Sequence, residues 1–229
     1  MNYNDYELNI LKYKEAIVYD KRSYCQYYIS LLKTKHIFIF TFFNSKDYNS
    51  LIIKICLFLL LLALNFTINA LFFSDSTIHE IYSEKCEYNF IYQLPQIIYS
   101  AVIISVINTI VKYLSLTEKS IIKFKNEQSN KGLHLKMEEL INYLKKKIII
   151  FYVISYIFLL FCWYYLACFC AVYKNTQIHF IKDTVISFGI SLTYPIGLYL
   201  IPGIFRIASI KNKKKKTMYE FSQIIQLLL

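Results

Sequence analysis

The chain has 229 residues, of which 56% are hydrophobic and only 18% charged, and its mean hydropathy is +0.38. This apolar surface is more than the core of one small soluble domain can bury, which excludes an ordinary soluble protein. The net charge of +11 is compatible with nucleic-acid binding or with a cytosolic membrane face. Because the lysines cluster beside long apolar stretches, we expect a lipid bilayer as the partner and no nucleic acid.

Residues 1–50 precede the first long apolar stretch and carry charges throughout. We recognise no cleavable signal peptide in them, so the first apolar stretch is expected to act as an uncleaved anchor. Residues 24–43 are aromatic, but Lys33, Lys35 and His36 interrupt them. This pattern predicts a cytosolic N-terminal segment with an amphipathic helix lying on the membrane surface, and not an additional span.

Two apolar stretches in the first half of the chain have the length of a membrane span. Residues 51–73 carry no charge after Lys54, whose aliphatic stem is expected to extend to the lipid headgroups. Residues 90–114 contain Pro95 near their start and form the most polar of the stretches. We expect this second span to pack against other helices.

Two further spans are predicted in the second half. Residues 148–172 contain no charge, and residues 184–204 contain three of the four glycines and two of the three prolines of the chain. Candidate helix breaks in this fourth span are Gly189, Pro195, Pro202 and Gly203. Such breaks can expose carbonyls to a transported substrate or can be satisfied by neighbouring helices, and the lack of a matching broken helix favours packing.

The positions of the basic residues predict the orientation of the spans. Lysines and arginines number seven up to Ser50, eight in the loop 115–147 and six in the tail 206–229, against three in the other two loops. The positive-inside rule then places both termini and the middle loop in the cytosol. We therefore predict an all-α membrane protein, with an antiparallel four-helix bundle over residues 51–205 and amphipathic cytosolic helices near residues 133–144 and 218–228.

Polar side chains inside the spans and lysines in the tail are the candidate sites. Asn65, Asn69, Gln96 and Asn108 are predicted to make polar contacts between helices, with a permeation pathway as the alternative. Lys213, Lys214, Lys215 and Lys216 are predicted to contact anionic lipid headgroups, with a nuclear localisation signal as the alternative.

Cysteines and histidines give no firm site. Cys86 could pair with Cys168 or Cys170 if its loop faces an oxidising compartment, and a free thiol is the other interpretation. His79 and His179 lack the spacing of a zinc motif. We predict no catalytic group, no metal and no cofactor.

Several strings resemble an uncharacterised multi-pass transmembrane module found near the C-terminus of large membrane proteins of protists. The strings are residues 20–28, 46–49, 68–77, 90–99, 172–179 and 194–203. The resemblance implies the same multi-pass topology and either a stand-alone copy or a part of a longer polypeptide. It implies no activity.

The function expected from these observations is non-enzymatic membrane anchoring or scaffolding, with basic cytosolic surfaces offered to lipid, to a membrane-protein partner or to a second copy of the chain. The alternative is a subunit of an oligomeric ion channel or transporter that uses the polar second span and the broken fourth span. A lipid-modifying enzyme would need a polar catalytic cluster at one interface, and the sequence indicates none.

Overall fold

The computed structural model describes residues 3–73, 90–126, 133–212 and 215–228, and within these ranges the protein is helical and contains no strand. In chain order the helices are α1 (Asp5–Ile10), α2 (Tyr13–Tyr19), α3 (Tyr24–Lys35), α4 (Ile37–Phe42), α5 (Leu51–Phe72), α6 (Phe90–Ser115), α7 (Glu118–Asn126), α8 (Leu133–Val172), α9 (Gln177–Leu198), α10 (Leu200–Lys211) and α11 (Lys216–Leu228). A 3-10 turn, Lys174–Thr176, precedes α9.

Four helical stretches in the described ranges are long and apolar enough to cross a membrane, which confirms the predicted number of apolar helices. They lie in α5, in α6, in α8 and in the succession of α9 and α10. The bounds of α5 and α6 agree with the predicted spans to one residue, because both are long apolar stretches with a single lysine near one end.

The other two helical stretches extend beyond the predicted spans, and α8 does so because it includes the predicted amphipathic segment 133–144. Helix α8 has 40 residues, which corresponds to about 60 Å at 1.5 Å per residue. The fourth stretch begins before residue 184, since α9 starts at Gln177, and the helix is interrupted at Tyr199 before it continues to Lys211. A hydrocarbon core of about 30 Å covers only part of either stretch.

The apolar helices differ in how much of their surface the protein buries. In the most apolar window of α5 50% of the residues are buried, against 17% in each of the other three stretches. Helix α8 exposes large aromatic side chains, among them Tyr156, Trp163 and Tyr164. Contiguous apolar exposure of this kind marks a surface that another apolar phase covers.

The chain divides into two compact bodies, a central body of Ile55–Ile190 and a terminal body of Met1–Lys54 with Ser191–Leu229. In the central body the rings of Phe73, Phe169 and Phe180 pack together, with centroids 4.8–5.8 Å apart. Gln177 Nε2 donates to the carbonyl of Cys170 at 2.7 Å and closes the connection between α8 and α9. The end of this body near Phe73 is therefore aromatic and closely packed.

A small cavity of about 10 Å³ lies among the long helices of the central body. Its lining residues are apolar except for one asparagine: Leu57, Leu60, Leu61, Leu64, Ile107, Asn108, Val111 and Phe158. That volume is close to the smallest that holds one water molecule.

The terminal body brings α1–α4 together with α10 and α11. Asn4 and Ser23 close the N-termini of α1 and α3 with reciprocal capping boxes, which explains where both helices begin. Helix α11 folds back antiparallel to α10: Ser209 contacts Lys215, the rings of Phe205 and Phe221 lie 5.1 Å apart, and Ser222 Oγ donates to the carbonyl of Pro202.

Candidate functional site: a buried arginine cluster

A fully buried arginine lies at the centre of the terminal body. The side chain of Arg206, on α10, is 0% exposed and its three nitrogens donate four hydrogen bonds. Nε and Nη2 donate to Asp20 Oδ2 at 3.1 and 2.8 Å, Nη1 donates to the carbonyl of Asn9 at 3.2 Å and Nη2 donates to the carbonyl of Leu8 at 2.6 Å. The guanidinium thus ties α10 to α1 and to Asp20, the residue that follows α2.

Two tyrosine rings cover the same guanidinium. The Arg206 Cζ atom is 4.9 Å from the ring centroid of Tyr27, on α3, and 4.8 Å from that of Tyr219, on α11. Contacts of this kind favour a desolvated cation. Burial raises the pKa of both phenols, so both tyrosines remain neutral and able to donate.

A second arginine completes the cluster. Arg22 Nε and Nη2 donate to the two carboxylate oxygens of Asp20 at 2.8 and 2.9 Å, in the bidentate geometry that arginine favours. Arg22 Nη1 donates to Asn9 Oδ1 at 2.9 Å and to Ser30 Oγ at 2.8 Å. One carboxylate therefore serves two guanidinium groups, and both guanidinium groups are occupied by partners in the same chain.

The ionisation of Asp20 follows from this environment. Burial by itself raises the pKa of the carboxyl group, but the hydrogen bonds and positive charges of Arg22 and Arg206 outweigh burial and hold the pKa below its usual value of 3.8. A carboxylate with a depressed pKa contributes stability above its unfolded-state pKa and loses that contribution as the pH falls through its folded-state pKa.

We therefore expect the unfolding temperature of the purified protein in detergent to be unaffected by the ionisation of Asp20 between pH 7 and pH 5, and its contribution to be lost only below the unfolded-state value of 3.8. Differential scanning fluorimetry at stepped pH measures this. Asp20→Asn cannot titrate at this position, so its unfolding temperature should decrease less than that of the wild type when the pH is lowered over the same range. Equal losses would contradict the ionised form of Asp20.

The tail helix α11 attaches to the body through its polar side chains. Tyr219 Oη donates to the carbonyl of Leu11 at 2.7 Å, Gln223 Nε2 donates to the carbonyl of Asn9 at 3.0 Å, and the side chains of Gln226 and Tyr27 lie in hydrogen-bond contact at 3.3 Å. The N-terminal and C-terminal parts of the chain are therefore joined by hydrogen bonds between residues that are more than 190 positions apart in sequence.

Three side chains of the N-terminal segment contact backbone carbonyl oxygens of the fourth apolar stretch. Tyr24 Oη donates to the carbonyl of Leu200 at 3.0 Å and Tyr28 Oη donates to that of Ile196 at 3.1 Å. His36 Nε2 lies 2.7 Å from the carbonyl oxygen of Leu192. The three carbonyls are spaced by four residues, so they lie along one side of the helix that faces α3.

Gly203 permits the closest approach in this contact. A Cβ atom at this position would lie 2.8 Å from Tyr24 Cε2 and 3.2 Å from Tyr24 Cδ2. Glycine is therefore required here by the tyrosine that donates to Leu200.

The expectation that Lys54 extends to the headgroups is wrong. Its Nζ lies 3.0 Å from Asp47 Oδ1, both side chains are 3% exposed, and it also donates to the carbonyl of Asn44. The ring of Phe40 covers the ammonium group at 5.3 Å. The segment before α5 folds over the start of that helix and supplies a partner inside the protein, which hydropathy does not reveal.

The predicted polar contacts between spans remain predictions. Asn65 Nδ2 donates to the carbonyl of Leu61 in its own helix at 2.9 Å, while Asn65 Oδ1 and Asn69 Nδ2 are buried without a hydrogen-bond partner. Asn108 lines the small cavity. Gln96 lies in α6, and its side chain is outside the described residues.

The candidate helix breaks and lysines are placed as follows. Gly189 and Pro195 lie within α9, Pro202 and Gly203 lie in the first turn of α10, and the helix is interrupted between these pairs at Tyr199. Lys215 and Lys216 are exposed, whereas Lys213 and Lys214 lie outside the described residues.

Cys168 and Cys170 are free thiols. This agrees with the interpretation of these residues as free thiols, while Cys86, the other residue of the alternative disulfide, lies outside the described residues, as does His79. Among the residues described, no group of three histidine, cysteine or acidic side chains is arranged to hold a metal ion.

Sequence reasoning missed Asp20, Arg22, Arg206, Tyr27 and Tyr219, the residues that form the cluster. A usable signal was present, because Arg22 and Arg206 are the only arginines among 26 basic residues. In a chain this rich in lysine, an arginine suggests a position that needs the planar, multidentate guanidinium group. Counting both residues only as positive charge concealed their difference from the lysines.

Comparisons of this chain with family models, with curated proteins and with solved structures find no match.

Proposed function

We propose that this protein is a multi-pass membrane anchor and scaffold without enzymatic activity. In this proposal four helices cross the bilayer, both termini and the loop 115–147 lie in the cytosol, and the terminal body forms a folded cytosolic platform. The excess of lysine and arginine in these three segments supports the orientation. The exposed lysines of the platform are offered to anionic lipid, to an acidic protein partner or to a second copy of the chain.

Aromatic contacts in the central body support an antiparallel bundle. The rings of Phe58 and Phe188 lie 6.2 Å apart, and those of Phe66 and Phe180 lie 6.2 Å apart. Advancing eight residues along α5 therefore corresponds to going back eight residues along α9. These two helices, which belong to the first and fourth spans, run in opposite directions, as they must if each span reverses the direction of the one before it.

The observation that carries the proposal is the set of contacts that the N-terminal segment makes with the backbone of the fourth stretch. The sequence-based argument for transport rested on carbonyls freed in a broken helix. The carbonyls of Leu192, Ile196 and Leu200 contact side chains of Tyr24, Tyr28 and His36. They are neighbours of the carbonyls of residues 191 and 198, to which Pro195 and Pro202 cannot donate, and not those carbonyls themselves. A helix stabilised in this way serves as an attachment surface for the N-terminal segment, which favours scaffolding over transport.

The central body supports the same conclusion. Its small cavity holds about one water molecule and has a single polar lining residue, Asn108. Ion permeation requires a continuous polar or hydrated path. The arginine cluster offers no alternative site of reaction, because Asp20 and both guanidinium groups are bonded to one another and to the backbone.

Flux through reconstituted liposomes tests the proposal. We expect the purified full chain to release no more potassium, sodium or chloride than protein-free liposomes do, because the observed cavity is too small for a hydrated ion. Ion-selective electrodes measure the release, and a pore-forming peptide added at the end of each run shows that trapped ions could have been released.

Selective flux that disappears in Asn108→Leu or Pro195→Ala would overturn the scaffold proposal. Asn108→Leu removes the polar lining residue of the cavity, and Pro195→Ala restores a backbone donor in α9. A flux that survives both substitutions would equally count against scaffolding, since it would show permeation by another path.

A further inference from the structure

The tail helix α11 has its polar and apolar sides in the opposite arrangement to an ordinary surface helix. Its packed side consists of polar residues, namely Tyr219, Ser222, Gln223 and Gln226, which bind backbone and side-chain groups of the terminal body. Three apolar residues, Phe221, Ile224 and Leu227, are 49%, 55% and 74% exposed, and the ring of Phe221 also contacts Phe205 of α10. A surface helix of a soluble protein has the reverse distribution.

The exposed side of α11 changes in polarity from one end to the other. Its first half presents Lys216, Thr217 and Glu220, with Lys216 paired to Glu220 at 3.1 Å. Its second half presents the three apolar side chains. This change in polarity is expected of a helix with one end in water and the other in lipid. A helix that lies parallel to the membrane surface would instead have an apolar side along its whole length.

The direction of α11 places its apolar end beside the end of α9. Because α11 runs antiparallel to α10, Ser222 lies level with Pro202 and Lys215 lies level with Ser209. Tyr27 contacts Gln226 near the end of α11 and packs with Tyr199, the residue between α9 and α10. Leu227, one residue further, therefore lies level with the last turn of α9.

The charge-free part of the fourth apolar stretch sets the position of the bilayer. Lys182 and Asp183 precede this part, and its residues 184–204 extend over about 31 Å, which matches a hydrocarbon core of about 30 Å. If this stretch crosses the membrane, as the proposed function states, the last turn of α9 lies within the core, near its cytosolic boundary. Leucine and isoleucine side chains exposed at that level meet lipid.

We propose that the C-terminal half of α11 is a lipid-binding element whose exposed side chains Phe221, Ile224 and Leu227 insert into the cytosolic leaflet beside the end of α9. This inference rests on the proposed crossing of the bilayer by α9. The insertion gives the platform a second apolar attachment besides α9 and fixes α10 and α11 upright on the membrane.

Lys216 lies at the opposite end of α11 from Leu227, eleven residues of helix away, or about 17 Å. Insertion of Leu227 transfers an apolar side chain out of water and does not require anionic lipid. The exposed Lys215 and Lys216 remain available to anionic headgroups or to an acidic partner, as proposed above.

Tryptophan fluorescence in vesicles with brominated acyl chains tests this inference. The chain has one tryptophan, Trp163, so Trp163→Phe provides a silent background for Leu227→Trp and for the matched control Thr217→Trp. Both positions are exposed on α11, so neither substitution disturbs its packing. The full chain is reconstituted in neutral phosphatidylcholine, with and without bromine.

We expect Leu227→Trp to lose as large a fraction of its emission to bromine as Trp163 loses in the unsubstituted protein, and Thr217→Trp to keep its emission. High salt should leave both results unchanged. Quenching of both positions to the same extent would overturn the upright arrangement in favour of a flat helix. If Trp163 is quenched in the unsubstituted protein but the tryptophan of Leu227→Trp is not quenched in its variant, lipid insertion would be overturned. Cross-linking between Leu227→Cys residues would then show that a second copy of the chain covers this side of α11.

The same experiment separates this inference from the proposed function. Trp163 is 73% exposed on α8, and it must be quenched if that helix crosses the bilayer. An unquenched Trp163 would contradict the membrane crossing itself, whatever happens at Leu227.

Discussion

Replacing Arg206 by methionine is expected to lower the free energy of unfolding by about 3 kcal/mol, the lower end of the cost of breaking a buried ion pair by removing one partner. Methionine leaves the carbonyls of Leu8 and Asn9 without this donor and removes the cation between two tyrosine rings. The lower end applies because Arg22 keeps its two hydrogen bonds to Asp20, so the carboxylate is not left uncompensated. Reversible denaturant unfolding in mixed micelles measures the change.

Two further variants make this result specific. Arg206→Lys keeps the charge but cannot donate in four directions, so we expect it to lose most of the same free energy. Lys211→Met, which removes an exposed charge one turn later on α10, should stay within about 0.5 kcal/mol of the wild type. An Arg206→Met variant as stable as Lys211→Met would contradict the role of the cluster.

Hydropathy predicted the four apolar helices because helices long and apolar enough to cross a membrane are recognisable by length and composition alone. A span needs about 20 apolar residues in succession, and such stretches are visible without knowledge of any partner. The bounds of α5 and α6 followed directly. Helix α8 begins where the predicted amphipathic segment begins and ends where the predicted third span ends. The start of α9 did not follow, because a helix continues wherever its backbone hydrogen bonds do and does not stop at the edge of an apolar stretch.

The arginine cluster could not be predicted in the same way. Asp20 and Arg206 are 186 residues apart, and no local pattern relates one to the other. The spacing of Tyr24, Tyr28 and His36 likewise indicates a helix surface but not the carbonyls that lie opposite. What composition did contain was the scarcity of arginine, which distinguishes two positions from all the lysines around them.

The glycines of the fourth apolar stretch show how the structure changes the interpretation of a sequence feature. From the sequence they are weak points of a helix that could bend or open. In the structure Gly197 has no atom near its missing side chain, whereas Gly203 faces the ring of Tyr24. Two residues of the same type in neighbouring turns therefore have different roles, and substitution can separate them.

Gly203→Ala is expected to have a free energy of unfolding about 1–3 kcal/mol lower than Gly197→Ala, since both gain the helix propensity of alanine and only residue 203 is overpacked. The new methyl group would lie 2.8 Å from Tyr24 Cε2, and Tyr27 Cδ1 lies 3.4 Å away on the same side. Tyr24 cannot move aside without losing its hydrogen bond to Leu200. The denaturant unfolding used for Arg206 measures this change as well.

Gly197→Ala is the matched control, because no atom lies within 4 Å of the added methyl group. It should stabilise the protein by up to about 1 kcal/mol through helix propensity alone. Combining Gly203→Ala with Tyr24→Ala should abolish the penalty at residue 203, since the colliding ring is gone. If Gly203→Ala is as stable as Gly197→Ala while Tyr24 is present, then α3 does not press against α10 at this point, and Tyr24 cannot be fixing the carbonyl of Leu200.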